Sequence, residues 1–583
     1  MRRVLDRGES DATSLNGRIG VAFRLWGRCR HSRMVISRLD TWPACAPVNA
    51  SPWPCGCRRM TRGRRGLLVL RRTALSSAPP HQLGWRTPTL RLSHIFTISV
   101  APSVSPTNWG GEVQMDAVDL RDELRTVDLG DLRRDQRVLD VIAVLQAHPA
   151  NSYMESMSAA GREGYYRLLR NAKAMPDALL KPHAEETARR ANAVERCLVL
   201  HDTTEVSHGR GSARTDFYDL QNGRFGYLAH VSIAVSSPDR MALGTVVLQI
   251  IERKLDRVKI SRAQSRERWS APDKESLRWG EGIELAAAKI PNAIHVMDRE
   301  GDSYEILVGL TNASRRFIVR GGRDRKVIGD VGNGTTTVLA AMLATEPALG
   351  RTAALSARAL TRKKAAKAHP PRAARDAKLM IAARPVAIQR PAWLRGAARG
   401  TLPDSISVNA VHVCEVEVPE GCKPVEWLIY TSEPITTAAE IAMIVDDYAA
   451  RWTIEEFFKA LKTGCDFERR QFESQKTSQT ALALTLPVAW KLLVMRHLDR
   501  TVPQAPASVV LDTARLKVLR AIARVPIPAK ATVHHVLIAI ADLGGHQKNS
   551  GPPGWLTLSR GMERLETSFE AVQLVLGGSR GKK

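Results

Sequence analysis

At 583 residues the chain exceeds what one hydrophobic core usually organises, and its 44% hydrophobic and 25% charged composition excludes global disorder. A formal net charge of +27 favours a polyanionic partner, nucleic acid ahead of an anionic membrane, although a merely basic protein has the same balance. No uninterrupted apolar run reaches the roughly 18 residues of a spanning helix, and no basic start followed by an apolar core and a cleavage site opens the chain. No membrane partner is therefore expected, and the cytoplasm is the expected compartment.

Residues 1–114 differ in kind from the rest, with 18 Arg, no Lys, five acidic residues, four of the eight Cys and five of the twelve Trp. No period of 2 or 3.6 runs through them. Two readings fit: a disordered basic arm, or an upstream stretch outside the native protein, with Met115 as the true start. The second is preferred. The remainder keeps 68 basic against 54 acidic residues, a net +14. The later cysteines, Cys197, Cys414, Cys422 and Cys465, lack zinc-type spacing and read as reduced thiols.

From 115 to 193 the pattern is helical, with apolar positions recurring at three and four in DLRRDQRVLDVIAVLQAHP and GREGYYRLLRNAKAMPDALLKPHAEETARR. An Arg-rich helical domain suits DNA docking, though a plain bundle has the same pattern. Over 194–310 strands appear in order. ERCLVLHD, GYLAHVSIAVS and ALGTVVLQIIERK form a meander with the turn SPDR before the third, DKESLRWGEGIELAAAKI is a helix, and NAIHVMD is a buried strand. That order begins an RNase-H-like α/β core.

Residues 311–435 interrupt the core with further strand-like runs and a basic stretch. Between Arg351 and Arg390 eleven residues are Lys or Arg and only Asp376 is acidic, which fits a solvated loop or contact with DNA phosphates. Helices resume over 436–501, and 502–583 follows a Pro-containing linker as a helical C-terminal region. No internal repeat is visible.

Asp202 and Asp298 end two strands that the proposed order places side by side, close enough to share hard cations through oxygen ligands. Singly, an Asp after a strand is more often a turn or a cap. In YAARWTIEEFFKALK, Tyr448, Arg451, Glu455 and Lys462 fall within about 60° of one another on a straight helix. A solvated amphipathic helix with salt bridges has the same spacing.

HDTTEV, MDREGDSYE and Tyr-(2)-Arg-(3)-Glu-(6)-Lys, in that order with a long β-rich insert before the last, resemble the DDE transposases of insertion-sequence family four, in the Y-R-E-K subgroup. The resemblance covers roughly 118–575. It includes LGDLRRDQR, GYYRLLRN, WLIYTSEP, LGGH, GPPGW and RGMERL; Ser559 stands where an aromatic residue is expected. It implies a cut-and-paste transposase in which Asp202, Asp298 and Glu455 hold two Mg²⁺ ions, with Mn²⁺ an acceptable substitute. The implied partners are double-stranded DNA, at transposon ends and target, and a second copy in a homodimer.

By the same resemblance the ends are cleaved through a hairpin intermediate and then joined to target, by an enzyme associated with the bacterial nucleoid when bound to DNA. Arg451 and Lys462 are implied to grip phosphates, Tyr448 to contact a flipped nucleotide, and Trp427 to stack its base. Arg320, Arg323 and Arg325 are assigned to backbone contacts. Competing readings are a catalytically inactive or decayed end-binding protein, and an RNase-H-like nuclease without strand transfer.

Overall fold

A computed structural model describes residues 98–99, 118–150, 156–210, 218–220, 224–251, 277–328, 335–357, 372–394, 401–547 and 551–580. All fall within Leu90–Lys583. Of the stretch 1–114, only Ile98–Ser99 (β1) is described, paired with Leu355 and Ala354; the rest of that expectation lies outside the described residues.

Four helices open the described chain: α1 (Leu120–Glu123), α2 (Leu132–Ala147), α3 (Ala159–Arg170) and α4 (Pro176–Asn192). Asp119, Asp131 and Ser158 cap the first three, each accepting from a first-turn amide that has no partner within its helix. α4 begins with Pro176 at its first turn, where the missing N–H costs nothing.

The meander follows as β2 (Cys197–Arg210), β3 (Tyr218–Leu220), β4 (Arg224–Ser236) and β5 (Ala242–Ile251), then α5 (Leu277–Ala287), β6 (Ile294–Met297), α6 (Tyr304–Asn312) and β7 (Arg316–Arg320). β2 pairs antiparallel with β4, and β4 with β5. β6 runs parallel to both β2 and β7, so the first and fourth long strands are neighbours. The near-continuous apolar runs of these strands follow from cover on both faces.

The insertion adds β8 (Lys326–Ile328), β9 (Thr335–Thr337), α7 (Val338–Leu343), β10 (Leu349–Leu355), β11 (Arg375–Gln389), β12 (Ser405–Val416) and β13 (Glu426–Thr431). It rejoins the core, because β13 pairs antiparallel with β7 and extends one mixed sheet to 13 strands among the described residues. The path runs β1-β10-β11-β12-β13-β7-β6-β2-β4-β3, with β5 on β4 and β8 joining β11 to β9. The basic stretch is thus largely strand where it is described. Arg351 pairs with Asp446 at 3.0 Å, and Arg375 grips Glu415 through two 2.9 Å hydrogen bonds. Residues 358–371 of it lie outside the described set.

α8 (Ala438–Ala450), opened by a Thr437–Glu440 capping box, leads into α9 (Trp452–Lys459) and a π-helical turn, Ala460–Gly464. α10 (Gln475–Thr501) is long and apolar enough by composition to cross a membrane, but 83% of its most apolar window is buried inside the protein, so it reads as a core helix. Its Trp490 Nε1 donates to Ala242 O at 2.7 Å, fixing it against β5. α11 (Thr513–Ile522), α12 (Val533–Leu543) and α13 (Trp555–Arg580) complete the helical C-terminal region. Ser559 of α13 is fully buried and donates to Gly464 O at 2.6 Å, a backbone contact in the place where an aromatic was expected.

The opening helices are bound to the sheet by polar groups as well as apolar packing. Glu123 Oε1 lies 2.6 Å from His183 Nδ1 and accepts from Arg190 at 2.8 Å. Arg190 also donates to Leu243 O at 2.7 Å, and Thr245 N donates to His183 Nε2 at 2.9 Å. Gly244, at φ +144°, lets β5 approach this cluster; a Cβ there would lie 2.0 Å from Thr187 Oγ1.

Candidate active site

Along β2 side chains alternate, so Asp202 points to one face of the sheet while His201 and Thr203 point to the other. The parallel register pairs Leu200 with Val296; extended by two residues it sets Asp202 beside Asp298. Asp298 leaves β6 and caps the single turn Arg299–Gly301, its Oδ1 accepting from Glu300 N at 2.7 Å. The capping role therefore coexists with a place beside Asp202.

Glu455 arrives from α9. The Arg451 guanidinium stands 3.3 Å from Asp202 Oδ2 and 3.5 Å from Glu455 Oε1, linking strand and helix. Burial drives the Asp202 carboxyl well above the ordinary range; the negative charge of Asp298 adds to this, Arg451 opposes it, and Glu455 adds again. The three carboxylates thus share one electrostatic neighbourhood. Among the described residues no set of three His, Cys, Asp or Glu side chains is grouped as ligands of a single ion.

The signature segment is not one straight helix. Arg451 is the junction between α8 and α9, its N–H reaching back only to Tyr448 O at 3.1 Å, and the π turn widens the helix just before Cys465. Lys462 sits in that turn and donates to Glu205 O at 2.5 Å, with Glu468 at 3.1 Å, farther along β2 than Asp202. Glu456, next to Glu455, is paired with Lys459 at 2.7 Å and Arg496 at 3.3 Å. Burial opposes its charge, yet Lys459 and Arg496 hold its pKa below the usual value.

Trp427 on β13 is only 4% exposed, and its ring meets Tyr448 edge-on at 5.1 Å and 72°. Arg320 lies 6.0 Å from the Trp427 ring and donates to Glu426 O at 3.2 Å. A base stacking on Trp427 would first have to part this cluster. Arg323 is exposed, and its carbonyl accepts from Tyr430. Arg325 differs from the expected DNA contact: it is buried and bonded to Asp302 Oδ1 at 2.5 and 2.9 Å, a structural ion pair. Its spacing in FIVRGGRDRK matched an exposed arginine equally well, because the partner acid is 23 residues away.

Two further arginines belong to the site. Arg299 follows Asp298 directly; burial lowers its pKa and the charge of Arg320 lowers it further, while Tyr448 and Asp298 oppose this, which sets Arg299 beside Asp298. Arg278 of α5 donates to Thr203 Oγ1 at 3.0 Å and to Glu300 at 2.9 Å, tying the neighbour of Asp202 to the turn that Asp298 caps. The position of Arg299 inside MDREG was a signal; nothing in the pattern of α5 marked Arg278.

Beneath the carboxylates lies a buried histidine layer. His201 Nε2 is 2.9 Å from His295 Nδ1, Ser232 Oγ is 2.9 Å from His201 Nδ1, and His230 Nδ1 is 2.9 Å from Thr203 Oγ1. Burial keeps them neutral, lowering His295 to about 4 and His230 to about 3.

On the N-terminal side of these acids, the Arg-rich helices α1 to α3 and the loop after them carry the likeness to known proteins. Residues 119–174 match the family described as transposase DNA-binding, which supports a transposase with DNA as its partner.

Proposed function

We propose that the chain is a DDE transposase of insertion-sequence family four, with an RNase-H-like core, that cuts transposon ends and joins them to target DNA as a homodimer. What supports this reading is that Asp298, Arg451 and Glu455 all act electrostatically on Asp202, in a chain whose residues 119–174 match a transposase DNA-binding family. The strand order β5-β4-β2-β6-β7, with β2, β6 and β7 parallel, supports the RNase-H-like reading.

The donor chemistry fits hard divalent cations, because mutually repelling carboxylates supply charged oxygen ligands. Asp202, Asp298 and Glu455 would hold the ions, which supply activation of the attacking oxygen and neutralisation of the leaving one. The chain's own residues do the rest. Arg278 ties Thr203, the neighbour of Asp202, to Glu300 in the turn that Asp298 caps. Arg299 sets positive charge beside Asp298, where a phosphate of the cleaved strand would lie, while Lys462 stands farther along β2 at Glu205. Trp427 and Tyr448 form the aromatic element that a flipped base would part during hairpin formation.

Neighbouring glutamates provide the test. Glu455→Gln keeps shape and removes one charge, so end binding should survive while Mg²⁺-dependent nicking of an end-containing duplex falls by orders of magnitude. Glu456→Gln alters only the Lys459 and Arg496 pairing and should keep substantial nicking. An active Glu455→Gln protein beside a dead Glu456→Gln one would overturn the assignment.

A further inference from the structure

We infer that Arg451 is a placeholder cation: its guanidinium neutralises Asp202 and Glu455 until divalent ions enter, and then gives them up. This inference rests on the proposed metal site.

The contrast among arginines in the same protein carries it. Arg325 and Arg375, which serve as struts, bind one carboxylate each through two hydrogen bonds of 2.5 to 2.9 Å. Such paired, short contacts mark a committed pair. Arg451 instead divides itself between two acids at 3.3 and 3.5 Å and is bidentate to neither. Its side chain is 11% exposed. It also stands at the α8–α9 junction, where Arg451 N bonds Tyr448 O and Ile454 N bonds Arg451 O in the tighter i to i−3 pattern.

Charge explains the arrangement. The Arg451 guanidinium reaches both Asp202 Oδ2 and Glu455 Oε1, so its positive charge offsets theirs. Without a cation the neighbouring carboxylates would repel one another. A divalent ion held by the same carboxylates would repel the guanidinium in turn, so ion and Arg451 compete for one pool of negative charge.

Competition predicts a gain where a merely structural arginine predicts a loss. Mn²⁺ titrations of the full chain by calorimetry, with melting temperature measured with and without Mn²⁺, compare wild type, Arg451→Gln and Arg451→Lys. Arg451→Gln should melt lower without ions yet bind Mn²⁺ at least about tenfold more tightly, since a like charge a few ångströms away is gone. Its Mn²⁺-induced rise in melting temperature should exceed that of wild type. Arg451→Lys keeps a charge too short to span both acids and should show a smaller gain in affinity, which preserves the test if the Gln variant does not fold. Unchanged or weaker Mn²⁺ binding in the folded variants would overturn the placeholder role while leaving the metal site standing. Failure of the wild type itself to bind Mn²⁺ would instead overturn the site and this role together.

Discussion

Replacing Glu123 with Gln removes the carboxylate that couples the DNA-binding helices to β5. The side chain is 3% exposed, and its Oε1 serves both His183 and Arg190. Because His183 Nε2 accepts from Thr245 N, the ring proton lies on Nδ1, facing Glu123. Burial alone would raise the Glu123 pKa, but His183 and then Arg190 bring it from 4.5 down to about 2. That fall corresponds to roughly 3 kcal/mol favouring the ionised form in the folded protein.

A depressed carboxylate stabilises above its unfolded pKa and loses that contribution as pH falls toward its folded one, so the window runs from about 4.5 down to about 2. Hydrogen exchange of amides in α1, α4 and β5 reads the local opening free energy. At pH 7 Glu123→Gln should lower it by about 3 kcal/mol, and at pH 3 somewhat over half of that gap should have closed. A gap that is the same at both pH values, or below about 1 kcal/mol at pH 7, would refute the argument, since uncompensated Arg190 should then have cost more.

Arg325→Ala leaves the Asp302 carboxylate, 1% exposed, without its cation. It should destabilise the protein by about 3–5 kcal/mol in thermal or chemical unfolding. The salt dependence of end binding should not change, and a shallower salt slope would restore Arg325 as a phosphate contact. Arg278→Lys keeps the charge but cannot bridge Thr203 and Glu300 together. Mn²⁺ affinity should fall about 10- to 100-fold with little change in melting temperature, and an unaltered titration would show the bridge to be dispensable.

The meander and its neighbour were legible because LVLHD, AHVSIAVS, GTVVLQII and AIHVM are apolar runs bounded by turn residues, and they became β2, β4, β5 and β6. The pairing of β2 with β6 then set Asp202 beside Asp298. What escaped depended on contacts between distant residues. A wheel at a fixed angle per residue cannot register the junction at Arg451 or the π turn at Ala460–Gly464, so it put Lys462 on the Glu455 face when its ammonium is held at Glu205. β10 and β11 were hidden by their charge, because Arg351 and Arg375 look solvated until Asp446 and Glu415 appear across the fold. The strand around Trp427 suits a core residue and the resemblance implied a stacking one, and only the placement of Tyr448 and Arg320 shows what covers it.

The return of the insertion to the core bears on any effort to pare the protein down. Cutting out the segment between β7 and α8 looks like the removal of an accessory module, yet β13 supplies the hydrogen-bond partners of Ile318, Val319 and Arg320. Excision would strip one side of β7 and present a row of open amide and carbonyl groups flanked by apolar side chains, a template for self-association. A trimmed catalytic fragment would therefore need to retain β13, or carry a charged or proline-bearing substitute along that border, to remain monodisperse.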